Sequence, residues 1–186
     1  VASIAAHTAP GGVWINSDVC GPDSPDRTVR LVFHKPGLNV EPRDLTLLPS
    51  EQVRPYLETL TPGGRFQQFA QDFRRNAKAP LRFTLLDDRT VELALSSAME
   101  FLSKYTYTEN WLSETHEQFC GLSWSDWARL VSGAGFRIDD RSGPWRNEWL
   151  VDNVFNSACR LTDERGVETA WPVTHLRLAA WRSPAS

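Results

Sequence analysis

Between residues 105 and 117 the chain gathers Tyr105, Tyr107, Glu109, Trp111, Glu114, His116 and Glu117. Imidazole titrates near neutrality, so His116 has the intrinsic acidity of a general base, with Glu117 beside it. Glu114 and Glu117 are three residues apart and share a face if the segment is helical. Tyr105, Tyr107, Trp111 and Glu114 combine flat apolar surface with polar tips, which suits substrate binding. The same residues also fit a solvated helix end with a satisfied histidine. His116, Glu114 and Glu117 have no second histidine nearby to complete a metal site, and no metal is expected.

A second group is Trp145, Arg146, Asn147, Glu148, Trp149 and Asn153. Two tryptophans beside Arg and Asn can stack on and orient a planar or sugar-like substrate; sealing a sheet edge is the competing use. A third group, Asn16, Ser17 and Asp18, ends an apolar run. Asp18 there suits either catalysis or a plainer role as a strand-end cap or partner of Arg27 or Arg30. His7 near a helix C-terminus interacts favourably with the dipole. His34 and His175 have no companions in sequence.

These groups need elements to hold them. Val1, Ile4 and Ala5 are spaced as one face of a helix, which the breaker cluster Ala9-Pro10-Gly11-Gly12 ends. Val13–Val19 then reads as a mostly buried strand of a parallel or mixed sheet with covered faces. Residues 27–33 form a possible strand. Val53, Tyr56, Leu57 and Leu60 mark a helix that starts near Pro55 or is kinked by it. Phe66, Phe69, Ala70 and Phe73 mark a clearer one. Segments 81–86 and 90–95 flank Asp87-Asp88-Arg89 as a hairpin, followed by helices over 96–104 and 111–120. Ser123 and Asp126 form a capping-box variant ahead of Trp127, Leu130, Val131 and Ala134, and Gly135 stops that helix. A strand from Phe136 follows, and segments 156–162 and 173–181 pair as a closing hairpin.

The totals narrow the class. The chain has 186 residues, 41% hydrophobic and 23% charged, with net charge −3. That composition suits a folded domain or part of one, and its charge argues against nonspecific nucleic-acid binding. Arg65, Arg74, Arg75 and Lys78 still supply a short basic stripe, which keeps RNA as an alternative substrate. Cys20, Cys120 and Cys159 lack zinc or CxxC spacing, so reduced thiols and a cytoplasmic setting are expected. No apolar run suits a membrane span and no basic leader opens the chain. Eight tryptophans, six after residue 120, point to aromatic packing or an aromatic cavity late in the chain.

Two stretches carry a family likeness. The helix end followed by Ala9-Pro10-Gly11-Gly12-Val13-Trp14-Ile15-Asn16-Ser17-Asp18 resembles the turn and fifth strand of class I S-adenosylmethionine (SAM)-dependent methyltransferases. Leu122–Phe136, ending Ala134-Gly135-Phe136, resembles their last helix leading into the sixth strand. The apolar segment His175–Trp181 would be the antiparallel seventh strand. The resemblance implies an α/β fold: the C-terminal part of a Rossmann-like methyltransferase sheet, formed by residues 1–21 and 121–186. Residues 22–120 would be a large, mostly helical inserted lid with a small hairpin. It implies small-molecule O- or N-methylation, with RNA methylation or a non-catalytic α/β binding module as alternatives.

In that family substrate contacts come from the carboxy-terminal strand ends and the insertion after strand five, and the loop after strand six can close over the substrate. The resemblance therefore puts Asn16, Ser17 and Asp18 at the mouth of the site. Asn16, Tyr105, Tyr107, Trp111, Glu114, Trp145, Asn147 and Trp149 become substrate contacts. Asp18, His116 and Glu117 become catalytic candidates, and His7 lies near the cofactor edge. The family's glycine-rich cofactor loop and ribose-binding acid have no counterpart here. Strands one to four, with the SAM site, are expected upstream of Val1, in a cofactor-binding half that partners this one. The segment alone is expected to bind SAM poorly and to be inactive.

Overall fold

A computed structural model of the protein describes residues 1–76 and 81–183, with the backbone alone described for 74–76. In chain order the elements are α1 (Ala2–His7), β1 (Val13–Val19), β2 (Thr28–Phe33), a 3-10 turn (Leu45–Leu47), α2 (Ser50–Thr59), α3 (Pro62–Asn76), β3 (Phe83–Leu85), β4 (Thr90–Ala94), α4 (Leu95–Lys104), α5 (Trp111–Glu114), α6 (Trp124–Gly133), β5 (Phe136–Ile138), β6 (Gly143–Trp145), α7 (Glu148–Leu150), a π-helical turn (Val151–Phe155), α8 (Asn156–Ala158), β7 (Cys159–Thr162) and β8 (His175–Arg182). The protein is mixed α/β with two antiparallel sheets. It divides into two compact units. The first is Val1–Asp23, Phe119–Asn147 and Pro172–Ser186; the second is Ser24–Gln118 and Glu148–Trp171.

In the first unit, β8 lies between β1 and β5 and is antiparallel to both, so β1 and β5 run parallel. β6 pairs further along the edge of β8 that β5 occupies. Phe136 opposes Arg182 whereas Gly143 opposes Arg177. Seven steps on one strand thus pass five on the other, which is a bulge. Ser142 repairs the ladder there: its hydroxyl donates to the Ala179 carbonyl (3.1 Å) and accepts from the Ala179 amide (2.9 Å). One face of this sheet is closed. Leu176, Leu178, Ala180, Phe136 and Val131 are buried there with Cys20, and Trp14, Trp124 and Trp127 pack against them.

Local chemistry explains α6. Ser123 Oγ accepts from the Asp126 amide, and the Asp126 carboxylate accepts from the Ser123 amide, closing the expected capping box. Gly135, at φ +83°, turns the chain out of the helix in a conformation that side chains resist. A Cβ there would also lie 2.6 Å from the Arg182 guanidinium, which donates to the Ala134 carbonyl and covers the Phe136 ring.

The second unit departs from the expected helical lid. Its four-stranded sheet has the order β3-β4-β2-β7. β2 is an inner strand because Val29, Leu31 and Phe33 alternate inward and are at most 1% exposed. β7 pairs with β2, not with β8, so no closing hairpin forms and residues 148–171 join this unit. The expected helix over 111–120 is also cut short, with α5 ending at Glu114 and its cap at Thr115. Pro55 sits within α2, which runs from Ser50 to Thr59.

The core here is aromatic. Phe101 meets Phe33, Phe66 and Phe69 with ring centroids 5.2–6.1 Å apart. Three buried pairings tie its helices: Trp111 Nε1 donates to Asp72 (2.7 Å), Gln68 donates to the same carboxylate (3.0 Å), and Lys104 pairs with Glu100.

Candidate functional site

The carboxy-terminal end of β1 and the start of β8 bring together Asp18, Trp145, Asn147, Thr174 and His175, all in the first unit. Trp145 is placed by its register opposite His175, and the two rings lie 5.2 Å apart. Thr174 is 2% exposed. Its hydroxyl accepts from the Asn147 amide (2.8 Å) and lies 2.8 Å from His175 Nδ1. Asn147 uses one acceptor position of that hydroxyl and the second can take the Nδ1–H, the tautomer in which Nε2 carries the lone pair that accepts a proton. Backbone bonds anchor the threonine: its carbonyl accepts from Cys20 and its amide donates to the Trp145 carbonyl.

Burial holds the His175 imidazole below its ordinary value, with the Asp18 carboxylate acting in the opposite direction. The ring is therefore predominantly neutral at pH 7 and can accept a proton. Asp18 is exposed and its Oδ1 accepts from the Val19 amide (2.8 Å). The cluster thus offers a neutral base, a carboxylate and an aromatic face, which are the parts needed to orient and deprotonate a nucleophile.

A cavity of about 450 Å³ lies on the open face of the same sheet, lined by Ile15, Asn16, Ser17, Asp139, Arg141 and Arg177 among others. At its rim Arg141 grips Asp139 through two bonds of 2.9 and 3.1 Å, holding that carboxyl well below the usual range.

The remaining expected residues divide clearly. His7 is exposed, its Nδ1 2.7 Å from the Ser3 carbonyl, a local contact at the end of α1. The Gly11-Gly12 turn is tied by backbone bonds to Arg182, which makes it an extension of the β1–β8 ladder. Among the described residues no glycine-rich loop joins a strand to a following helix, so the residues here do not fit a SAM cradle.

His116 and Glu117 are exposed in the second unit, whereas Glu114 is half-buried. Tyr107 is 43% exposed, and Trp149, at 68%, is the most open tryptophan. Trp111 is a correction: it is 1% exposed and is spent on the core through its bond to Asp72. Tyr105 is half-buried under the Arg65 guanidinium, 4.6 Å from the ring centre, and burial pushes its phenol up. Arg65 is therefore turned into the fold and is not part of a basic stripe; it also donates to the Leu57 and Tyr105 carbonyls. Arg74, Arg75 and Lys78 lie outside the residues whose side chains are described.

His175 is the site residue that sequence reasoning passed over. Its companions come from three separated segments, and only the β1–β8 and β6–β8 registers unite them.

Fold and site together define a mixed α/β protein with a histidine–carboxylate–tryptophan cluster at one sheet end. Scans against models of known families, against characterised proteins and against solved structures find no match. Among the described residues no helix is long and apolar enough to cross a membrane, and no group of three or more His, Cys, Asp or Glu is placed to hold a metal ion.

Proposed function

We propose that the chain is the substrate-side, C-terminal portion of a SAM-dependent methyltransferase acting on a small molecule by O- or N-methylation. The observation that carries the reading is the first sheet. The segments that resemble strands five and six run parallel, with the last strand antiparallel between them and α6 leading into the second of them. Open apolar surface on that sheet supports it further: Ile15 is 74% exposed and Val13 44%, and among the described residues β1 pairs only with β8. Doubly wound sheets cover both faces, so this face and edge suit a cofactor-binding half upstream of Val1.

When bound, the cofactor supplies the electrophilic methyl. The residues of this chain bind and orient the nucleophile and take its proton. His175 is the base the geometry favours, with Trp145 and Asn147 orienting the substrate and the Asp18 charge acting on the ring from the neighbouring strand. The second unit is the variable addition to this portion, and the exposed His116 and Glu117 lie on it.

A calorimetric SAM titration tests the reading, on the 186-residue chain and on the reading frame extended upstream. Binding by the extended chain alone is expected. No binding by either would sink the methyltransferase reading and favour a non-catalytic α/β binding module.

A further inference from the structure

The second sheet has its own open face, and its chemistry differs from that of the first. Val29, Leu31, Val91, Leu93 and Leu161 point inward. Arg30, Val32, Thr90, Glu92 and Arg160 therefore share the outer face with Thr162. Register sets them in two rows: Arg30 stands between Glu92 and Thr162, and Val32 between Thr90 and Arg160. The Asp87 turn and the turn carrying Gly166 and Glu168 wall a cavity of about 350 Å³ over this surface. A volume of that size accepts a small molecule of several heavy atoms.

The cavity is asymmetric in charge. Arg30 is fixed by Glu92 at 2.9 Å. Arg160 is exposed and has no hydrogen bond or ion pair among the described residues. The two arginines are diagonal neighbours across adjacent strands, roughly 7–8 Å apart at the backbone. That spacing lets two guanidinium groups converge on one anion but disfavours leaving them together without one. Thr162 also lines the cavity; it is 6% exposed, and its Oγ1 is buried with no hydrogen-bond partner. A buried orphan hydroxyl in a native fold calls for a partner.

Two carboxylates face this basic pair. Asp87 is held ionised by the Arg89 amide, 2.7 Å away, and by Thr90, while Glu168 is exposed at the opposite wall. A simple anion would meet these two acids, and a simple cation the two arginines. A ligand bearing both charges a few ångströms apart satisfies all four.

We propose that this cavity binds a free α-amino acid as its zwitterion, the carboxylate on Arg30, Arg160 and Thr162 and the ammonium on Asp87 and Glu168. The site is independent of the methyltransferase reading and lies wholly within the second unit.

The test is calorimetry on the 186-residue chain with L-serine, L-leucine, L-glutamine and L-glutamate. Propionate and methylamine are the single-charge controls. At least one amino acid should bind, with each control at least tenfold weaker. Arg160→Ala, an exposed position, should weaken that binding at least tenfold without moving the melting temperature. Thr162→Val, of equal size, should weaken it by a smaller factor. Absence of binding by all four amino acids overturns the proposal, as does equal affinity for propionate or unchanged affinity in Arg160→Ala.

Discussion

The two sheets have the same plan and opposite surfaces. Each packs one face against its own apolar core and leaves the other open. An antiparallel sheet that faces water normally alternates apolar inside with polar outside. The second sheet obeys: Arg30, Thr90, Glu92 and Arg160 stand opposite a core of phenylalanines. The first does not. Val13 pairs with Trp181 and Ile15 with Ala179 on its open face, and three of these four are large apolar side chains at least 39% exposed. Clustered apolar surface of this kind marks a place where something else packs. The second unit therefore reads as a self-sufficient fold and the first as one designed to be covered.

The largest expected effect tests the self-sufficiency of the second unit. Phe101 is 0% exposed and touches three other phenylalanines. Phe101→Ala should cost about 3–5 kcal/mol through lost burial and a cavity. Hydrogen exchange should show protection lost in β2, β4 and β7 and retained in β1 and β8. Loss throughout the chain would show that the two units unfold as one. Next comes Trp111→Phe, which keeps the ring packing but removes one of the donors to buried Asp72; losing a bond to a buried carboxylate costs about 1–3 kcal/mol. A change below that range, measured by urea unfolding, would mean that the bond Gln68 already makes holds the carboxylate without Trp111.

A smaller effect sits in the first unit. Ser123→Ala deletes one half of the capping box and should cost about 1 kcal/mol. Exchange should rise at the first turn of α6, and Ser123→Asp should restore the cap. If Ser123→Ala leaves that turn protected, the packing of Trp124 and Trp127, not the cap, sets the helix start.

Legibility in the sequence followed the range of the interactions. The bounds of β1 were readable because Gly11-Gly12 and Gly21-Pro22 flank it, but its surroundings were not: expected as a mostly buried strand of a parallel or mixed sheet, it has no buried residue and pairs antiparallel with β8. α6 was readable because cap, apolar face and stop are all local. The second sheet was not readable as a sheet. Its inner strand pairs Arg30 with Thr162, more than a hundred residues away, and nothing local says whether Cys159–Thr162 joins β8 or β2. Trp111 looked like a substrate platform because its neighbours are polar; its partner Asp72 lies on a different helix. The site was half legible. Asp18, Trp145 and Asn147 were named from type and position, while His175 stood alone until β6 paired with β8.

The smallest expected effect bears most directly on the contrast between the sheets. Ile15 is 74% exposed, the most open large apolar residue of the first sheet. In the 186-residue chain Ile15→Ser should change stability by no more than about 0.5 kcal/mol, because little burial is lost. In the upstream-extended chain the same substitution should destabilise by about 1–3 kcal/mol, since a side chain covered by a second layer loses its burial. Equal small effects in both chains would mean the face stays open, leaving the first sheet with no demonstrated need for cover. A large effect in the short chain would mean that Ile15 is already packed in solution, and the difference between the two sheets would vanish.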